Sequence, residues 1–468
     1  MTQPARRLAA QALDTIHSTP LSGSGADKVG QIEWYLANRG YCIVDDFVEV
    51  SRAPIIPTGA KLYGRHYGIS GLKLSDASTS HEVLRAGTNS RIKNLILDGN
   101  LATREATGAF APGAADPHGY VFGLLFQNIS GAKAKDCIYQ DVGCTAQSVT
   151  DSLPNGGGSF MSLTAAATAD MTGNVVKRFK GTAPKAGFHH RIFSPFLGNG
   201  FVSSAFNDNT IHFATDNWIA ECEGVDGLKN AIELVGPFTR NNKVMHTRIV
   251  DYNGQGGIEA DFGAHFNWFF GNKLHFTPSF QTTISFAGFN QNRSNGTDGS
   301  RTFGNRFERC DVEMLGYLDG AFNFSALSEA GQSSNAEFIA CHLIGPSITS
   351  SFNRNAGPTG VVAYYLQDAS IGKNRNTMIR DGRAYNPDRL VKVVGTQGAD
   401  LIVVKDTHGF CRGAVYEVAA GVTVDALHLA GDSYLQTITG SLSTGSGTIT
   451  TTTTDASVRT QTSASTPI

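Results

Sequence analysis

The sequence predicts an all-β protein whose strands wind into a single-stranded parallel β-helix, a solenoid in which successive coils pair in parallel. Three observations predict this fold. The 468-residue chain has 53 glycines and 15 prolines, a balance that favours strands and turns. Ile232, Ile258 and Ile284 recur in similar apolar segments at an interval of about 26 residues. The intervals are short and rich in Gly and Asn, whereas a βαβ sheet needs crossover helices of about a dozen residues or more.

Residues 26–40, ADKVGQIEWYLANRG, predict an amphipathic helix that caps the first coil. Apolar residues recur there at helical spacing, and Gly40 is a stop signal. The predicted apolar face consists of Val29, Ile32, Trp34, Tyr35 and Leu36. Strand, turn and strand are expected next, in YCIVDDFVEVSRAPIIPTGAKLYGR, where Pro54, Pro57 and Gly59 mark turns.

The order of this helix and two motifs resembles the opening segment of a known superfamily. The motifs are V-D-D-x-V-x-V-S at 44–51 and I-P-x-G-x-x-L-x-G at 56–64. Together they are similar to the start of the pectate-lyase-like right-handed parallel β-helix superfamily, in which a helix caps the first coil. The resemblance implies a right-handed coil and says little about chemistry.

Asparagines recur where one strand is expected to turn into the next. The series is Asn242-Lys-Val, Asn272-Lys-Leu and Asn305-Arg-Phe, with a looser fourth member at Asn335-Ala-Glu-Phe. Asparagine tolerates the left-handed backbone of a tight corner, and stacked amides can hydrogen-bond along the axis. We therefore expect a ladder of asparagines along the solenoid.

Three regions are predicted from these patterns. Residues 1–25 form an N-terminal leader segment, 26–435 form the β-helix with its capping helix, and 436–468 form a Ser/Thr-rich tail that is β-rich or flexible. Gaps in the repeat predict insertions at 100–120, 145–160, 183–200 and 290–301. Loops of this kind are where a solenoid usually carries its function.

Charge and cysteine usage limit the partners and the compartment. The formal net charge is −2, so no global basic field points to nucleic acid or to a membrane surface. We expect no signal peptide and no membrane-inserted segment. Seven scattered cysteines predict folding in a reducing cytoplasm, mostly as small buried side chains, and no metal site or cofactor is predicted.

The candidate catalytic residues are Glu233, Glu259 and Asp261. Alternation along a strand puts Ile232 and Ile258 in the core and turns Glu233 and Glu259 to the outer face, at equivalent positions of adjacent coils about 4.8 Å apart. Stacked carboxylates repel, so a cation or a shared proton must compensate. Glycoside hydrolysis needs such a pair, one carboxyl group as acid and one as nucleophile or base, and the cluster fits retention or inversion.

Acidic residues one coil apart on the outside of a β-helix resemble the active sites of bacteriophage tailspike proteins. This resemblance implies a homotrimeric depolymerase that hydrolyses a bacterial surface or capsular polysaccharide, located on the virion or outside the cell. Flat aromatic rings suit sugars. The residues predicted to bind the substrate are Trp218, Trp268, His265, Lys243, Lys273 and Arg293.

Other readings stay open. The acids could be a solvated face paired with a basic stack of Lys243, Lys273 and Arg306. That same stack could neutralise a uronate in a polysaccharide lyase or C-5 epimerase. Asp116-Pro117-His118 resembles the catalytic motif of mannuronan C-5 epimerases. A non-catalytic glycan-binding adhesin is a third hypothesis. Weaker candidate residues, more simply explained by structural roles, are His189, His190 and Asp216.

Overall fold

The computed structural model describes the chain in segments separated by gaps. The described residues are 21, 27–109, 120–144, 161–164, 169–181, 190–193, 213–227, 232–236, 238–252, 256–261, 263–276, 285–291, 302–314, 323–330, 335–345, 360–367, 374–396, 398–411, 415–431, 434–437, 448–449, 452–454 and 459–462.

Three long sheets, here called A, B and C, run along the described chain. Within these segments they contain 15, 14 and 12 strands, and every pairing is parallel except the one that joins Gly143–Cys144 to Tyr120–Gln127. With two exceptions, consecutive strands of the described chain belong to different sheets, and strands pair with their equivalents one coil later. The exceptions are Gly143–Cys144 with Met161–Thr164, both in sheet C, and Thr448–Ile449 with Thr452–Thr454, both in sheet A. This arrangement confirms the predicted parallel β-helix.

Sheet A consists of Tyr41–Val44, Lys61–Gly64, Arg91–Lys93, Lys133–Lys135, Val175–Lys177, Trp218–Ala220, Lys243–Met245, Trp268–Phe270, Arg306–Glu308, Glu337–Ile339, Thr377–Arg380, Ala399–Lys405, Thr423–Ala430, Thr448–Ile449 and Thr452–Thr454. Sheet B consists of Phe47–Val50, Gly71–Leu74, Ile96–Asp98, Ile138–Gln140, Lys180–Gly181, Glu223–Gly227, Arg248–Tyr252, Lys273–Phe276, Asp311–Met314, His342–Ile344, Arg383–Tyr385, His408–Cys411, Tyr434–Thr437 and Arg459–Thr462.

Sheet C consists of Glu82–Arg85, Tyr120–Gln127, Gly143–Cys144, Met161–Thr164, His190–Phe193, Ile232–Val235, Gly256–Asp261, Ser285–Gln291, Asn323–Ala330, Gly360–Gln367, Arg389–Val394 and Tyr416–Val418. A small fourth sheet of Met171–Thr172, Ala214–Thr215 and Thr239–Arg240 lies between sheets C and A in the chain order. Parallel pairing continues past residue 436, since Arg459–Thr462 pairs with Tyr434–Thr437.

The core consists of apolar columns that run along the solenoid axis, and each coil contributes one residue to each column. In sheet A one column runs through Ile219, Val244, Phe269, Phe307, Phe338 and Ile379, all buried. The rings of Phe269 and Phe307 stack with centroids 4.6 Å apart, and Phe307 and Phe338 follow at 5.3 Å. Full burial of each such side chain contributes about 1.5–3 kcal/mol, so stability comes from contacts between neighbouring coils.

The predicted helix is present as Val29–Arg39, and it ends at Gly40, whose φ of 71° is left-handed. Val29, Ile32 and Leu36 are buried in the core beside the first coil. The prediction that Trp34 shares this face is wrong, because Trp34 is exposed. Two residues along a helix turn the side chain by about 200°, which places Trp34 opposite Ile32 and Leu36.

A second, short helix, Leu101–Ala106, lies in the segment predicted as an insertion. Its Arg104 is fully buried and donates hydrogen bonds to the carbonyl oxygens of Ser78, Gly99 and Ser80. Burial lowers the pKa of the Arg104 guanidinium to about 10. The bonds to Ser78 and Ser80 tie the helix to the turn that precedes Glu82–Arg85, the first strand of sheet C.

An asparagine ladder stands at the corner that precedes sheet A. Oδ1 of Asn267 accepts from the backbone N–H and from Nδ2 of Asn242, at 3.0 and 3.1 Å, and Oδ1 of Asn305 accepts from Asn267 in the same way. Gln291 ends the ladder, because its Oε1 accepts from Nδ2 of Asn305 at 2.8 Å. The ladder consists of Asn174, Asn217, Asn242, Asn267 and Asn305.

The membership predicted for this ladder needs correction. Asn272 lies at the next corner, between sheets A and B, where its Oδ1 accepts from the N–H of Thr247 at 3.0 Å. Asn335 takes the left-handed corner position with a φ of 54° and is not a ladder residue. The two jobs fall to different residues: Asn241 has a φ of 56°, and Asn242 beside it makes the ladder bonds.

The 26-residue register holds for one step and fails at the next. Ile232 pairs with Ile258 and Glu233 with Glu259, as predicted. The prediction for the following coil is wrong: Ile258 pairs with Phe289 and Glu259 with Asn290, not with Ile284 and Ser285. That coil is 31 residues long, and the extra length shifts the register; Ile284 itself lies outside the described residues.

Six cysteines in the described part of the chain are buried free thiols, which agrees with the prediction that most of them are small core residues. They are Cys42, Cys137, Cys222, Cys310, Cys341 and Cys411. None of the described helices has the length and the apolar character needed to cross a membrane.

Candidate active site

Two adjacent strands of sheet C, Ile232–Val235 and Gly256–Asp261, bring the three predicted catalytic residues together. Glu233 and Glu259 are directly paired. Their neighbours on the other face, including Ile232 and Ile258, are fully buried in the core, which fixes the face on which the carboxylates stand. Asp261 is two residues beyond Glu259 and therefore on the same face.

One side-chain oxygen from each of Glu233, Glu259 and Asp261 lies within 4.8 Å of the other two. The three residues are buried, with 7%, 5% and 3% of their surface exposed. Asn290, on the next strand of sheet C, is also buried and donates from Nδ2 to Oε2 of Glu259 at 3.4 Å. The cluster is therefore a set of enclosed carboxyl groups with at least one neutral donor.

Burial changes the electrostatic meaning of this cluster. Solvated surface carboxylates repel weakly because water screens them, whereas enclosed ones interact more strongly and lose hydration as well. When three such groups lie within 4.8 Å of one another, either one of them holds a proton or a nearby cation balances their charge. One member can thus keep a proton while another is ionised, which makes an acid beside a base.

The same geometry bears on metal binding. Carboxylate oxygens are the ligands that hard divalent cations such as Ca²⁺ prefer, at about 2.3–2.6 Å from the ion. The three oxygens of Glu233, Glu259 and Asp261 are near enough to one another to contact one such ion. Clusters of acidic groups also occur in proteins without a bound ion, so proximity alone does not assign a metal to this site. The sequence predicted no metal.

The corner after Asp261 holds His265 beside the acidic cluster in sequence. The N–H of Ala264 donates to the carbonyl oxygen of Asp261 at 3.1 Å. The His265 ring stacks on Phe303 with centroids 4.7 Å apart. Burial lowers the pKa of His265, the nearby Arg240 charge acts in the same direction, and the hydrogen bond with the Gly263 carbonyl opposes them. The structure therefore favours a neutral imidazole at this corner.

The two predicted substrate-binding tryptophans are not on the sheet that carries the acids. Trp218 and Trp268 belong to sheet A and flank Lys243 in register. Nζ of Lys243 lies 5.0 Å from the Trp218 ring centre and 5.9 Å from that of Trp268. The structure brings these three residues together, but on a different sheet from Glu233 and Glu259.

The basic stack expected from Lys243, Lys273 and Arg306 does not form as one stack. Lys243 and Arg306 are on sheet A, where both pair with Trp268. Lys273 is on sheet B, and its Nζ lies 3.9 Å from Oδ2 of Asp311. The N-[KR]-apolar pattern occurs at the corners on both sides of sheet A, so residues from two different sheets shared one motif.

Several other candidates carry no site geometry. Arg293, Asp116, His118 and His189 lie outside the described residues. His190 begins a strand of sheet C and pairs with Ile232. Asp216 is an exposed corner residue with a φ of 57°, which is a structural role.

Sequence reasoning missed the residues that continue the Glu233 position along sheet C. Backbone pairing extends it on both sides, to Arg191 before Glu233 and to Asn290 after Glu259. Within the described strands the column is Arg85, Leu125, Ser162, Arg191, Glu233, Glu259, Asn290, Ser328, Tyr365, Lys392 and Glu417. Strand alternation in the corrected register is the signal that would have found them.

Comparison with known proteins gives a relationship of fold. No model of a known protein family matches the chain, and no curated protein matches it. Among solved structures, pre-mature gene product 12 of bacteriophage phi29 aligns with a TM-score of 0.51 at 11% identity, over 96% of this chain and 65% of that one. This chain thus spans 65% of the phi29 protein, and the likeness shows a shared fold.

Two further solved structures align less closely. The endo-xylogalacturonan hydrolase of Aspergillus tubingensis gives a TM-score of 0.41 at 11% identity, over 96% of this chain and 99% of that one. The Dettilon tailspike protein gives a TM-score of 0.41 at 8% identity, over 88% of this chain and 66% of that one.

Proposed function

From a parallel β-helix that holds a buried cluster of three carboxyl groups, we propose an enzyme that hydrolyses a bacterial surface or capsular polysaccharide. The observation that carries the proposal is the enclosure of Glu233, Glu259 and Asp261, with one oxygen of each within 4.8 Å of the other two. Carboxyl groups whose only role is to keep a protein surface hydrated are expected to be exposed to solvent. The acid and the nucleophile of a retaining glycoside hydrolase stand about 5–5.5 Å apart, which is close to this separation.

In the proposed mechanism one carboxyl group of the cluster protonates the glycosidic oxygen of the leaving sugar. A second, ionised carboxylate either attacks the anomeric carbon or removes a proton from the attacking water. The hydrogen bond from Asn290 to Glu259 favours the ionised form of Glu259, because an N–H donor stabilises a carboxylate. Glu259 is therefore assigned the base or nucleophile role, and Glu233 or Asp261 the acid role.

The biological setting is part of the proposal. The fold is shared with a bacteriophage gene product, and the sequence pattern resembles tailspike proteins. We extend the proposal to a homotrimer on a phage particle or outside the cell. Of the residues predicted to bind the substrate, His265 is the nearest in sequence to the three carboxyl groups, and we propose that it contacts the sugar. The role of Arg293 in substrate binding stays a prediction.

Two alternatives receive less support from the geometry. A lyase or epimerase was expected to use Lys243, Lys273 and Arg306 against a uronate, but these residues stand on two sheets, neither of which carries the acids. A purely binding adhesin would gain support from fully exposed carboxylates, whereas those of Glu233, Glu259 and Asp261 are buried.

The test is product analysis with a panel of purified bacterial capsules and O-antigens. Hydrolysis adds the mass of one water per cleavage and creates reducing ends. Elimination adds no water and produces unsaturated ends, which are detected by their ultraviolet absorbance. Glu233→Gln, Glu259→Gln and Asp261→Asn should abolish cleavage while the protein still folds. Full activity in all three variants would remove the proposed active site.

A further inference from the structure

The outer face of sheet A carries a run of cations on its N-terminal coils. Two outward positions of each strand are aligned by the parallel register, and basic residues fill both of them on successive strands. The cations at the first position are Lys61, Arg91 and Lys133, and those at the second are Lys93, Lys135 and Lys177. We call this set the basic face.

Few acidic groups oppose these cations. Lys61, Lys93 and Lys133 are exposed, and within the described ranges neither they nor Lys135 forms an ion pair. Among the described residues, the partners of the Arg91 guanidinium are the backbone carbonyl oxygens of Asn89, Ser90 and Gly131.

Two acids do lie beside the basic face. Lys177 pairs with Glu221 at 2.6 Å. Asp136, at the corner next to Lys135, binds Arg178, and the charges of Lys93 and Lys135 add to the lowering of its pKa. The three cations of the first position, Lys61, Arg91 and Lys133, form no ion pair within the described chain, so this half of the basic face is uncompensated there.

Such an arrangement costs stability. Like charges directly opposite each other in a sheet repel, and successive strands are only about 4.8 Å apart. The chain as a whole is slightly acidic, with a formal net charge of −2, so the basic face does not result from a general excess of lysine and arginine. A bound polyanion would relieve the repulsion at every strand.

Aromatic rings continue the first position toward the C-terminus. After Lys133 the register runs through Val175 to Trp218, Lys243 and Trp268. Trp218 is 41% exposed. The two tryptophans are two strands apart, about 9.6 Å from the strand spacing, which is the length scale of a disaccharide. Flat rings in line with cations suit the faces and the anionic groups of sugars.

We propose that the outer face of sheet A is a second, non-catalytic binding surface for an acidic polysaccharide, which lies along the solenoid axis. Its carboxylate or other anionic groups would meet the basic face, and its sugar rings would meet Trp218 and Trp268. The identity of the ligand as a polysaccharide rests on the proposed function. The surface itself stands apart from the carboxylates of sheet C.

This surface predicts a measurable difference between acidic and neutral glycans. Fluorescently labelled polygalacturonate and dextran of similar length serve as probes, in titrations of the full-length protein bearing Glu259→Gln, so that cleavage does not interfere. We expect binding of polygalacturonate that weakens steeply with added NaCl, and no binding of dextran. The double variant Lys93→Glu/Lys135→Glu should lower the affinity at least tenfold, and Trp218→Ala several-fold.

The matched control is Lys405→Glu, an exposed lysine at the same outward position of sheet A but near its C-terminal end; it should change the affinity less than twofold. Equal binding of dextran, or unchanged affinity in both the lysine and tryptophan variants, would overturn the proposal. So would tight binding of a single-stranded oligonucleotide without binding of polygalacturonate. Because the readout is binding, loss of the proposed hydrolysis would leave this result unaffected, and the reverse also holds.

Discussion

Nδ2 of Asn290 donates to Oε2 of Glu259 at 3.4 Å, and both residues are buried on neighbouring strands of sheet C. This contact joins the acidic cluster to a neutral amide that stands at the same outward position one coil later. Glu259 therefore has a carboxyl group on one side, from Glu233, and an amide donor on the other. The asymmetry gives its two neighbours different effects on its charge.

Asn290→Ala should slow the proposed hydrolysis by roughly ten- to hundredfold, because loss of a hydrogen bond to a charged group removes about 1.5–3 kcal/mol of support for the ionised form of Glu259. The measurement is kcat on a cleaved polysaccharide, with thermal melting as the folding control. Asn290→Asp adds a fourth carboxyl group and should slow the reaction further. Unchanged kcat in both variants would show that Asn290 takes no part.

Glu259→Gln should raise stability as it abolishes cleavage. Gln can accept from Asn290 and donate to Glu233, so the substitution replaces a repulsive pair by a hydrogen-bonded one. Relief of like charges opposed in a sheet is worth on the order of 1 kcal/mol, and urea denaturation at neutral pH would measure it. A marked loss of stability would instead indicate that a bound cation holds the carboxylates together.

Asp98 should make the protein less stable as the pH rises through about 6. Burial raises the pKa of Asp98 from 3.8 to about 6, the Asp141 charge adds to this, and the Asn100 N–H and Lys73 oppose it. The folded state thus binds a proton between pH 4 and 6 that the unfolded state has lost, and the penalty is complete above pH 6. Asp98→Asn should stabilise the fold by on the order of 1 kcal/mol at pH 8 and very little near pH 4.

Urea denaturation at both pH values measures the Asp98 effect. The exposed Asp46, whose carboxylate also accepts a backbone N–H, provides the control substitution Asp46→Asn, which makes the same chemical change at a solvent-exposed position. An equal effect of Asp98→Asn at both pH values would contradict the prediction.

Loss of one ladder residue should cost more than loss of its neighbour. Asn242→Ala removes the Oδ1 acceptor for the N–H and Nδ2 of Asn217 and the Nδ2 donor to Asn267, while the backbone N–H at this position stays; each buried group left without a partner costs about 1–3 kcal/mol. Asn241→Gly changes an exposed, left-handed residue to one that tolerates the same φ and should cost less than 1 kcal/mol. Similar losses in the two variants, measured by urea denaturation, would argue against the ladder.

Glu417→Gln should destabilise the C-terminal coils strongly. Burial alone would raise the pKa of Glu417, but hydrogen bonds from Arg389 and Lys392 outweigh it and lower the pKa. Lys392 is buried with its Nζ 3.0 Å from Oε1 of Glu417, so removal of the carboxylate leaves a buried cation, at a cost of about 3 kcal/mol. The double variant Glu417→Gln/Lys392→Met should recover much of the loss, and failure to recover would show that the pair is not coupled.

The sequence predicted what depends on alternation and on local corner chemistry. Glu233 and Glu259 could be paired because the two alternating segments that carry them are similar in sequence and directly paired. Asn290 could not be found, because the next coil is 31 residues long and a fixed period pointed to Ser285. Burial of the carboxylates also escaped prediction, since alternation shows only that they point away from the core. Lys273 was grouped wrongly with Lys243 and Arg306 because one motif occurs at two corners of the coil.

The asparagine ladder bridges coils of very unequal length. Successive members are 43, 25, 25 and 38 residues apart in the chain, yet the same pair of hydrogen bonds closes all four steps. The repeated feature is thus the pair of hydrogen bonds at one corner of the coil, and the number of residues between two such corners can vary. Other segments could therefore replace the chain between two ladder residues without disturbing the neighbouring coils. One scaffold could acquire new binding specificities by exchange of these connecting segments alone.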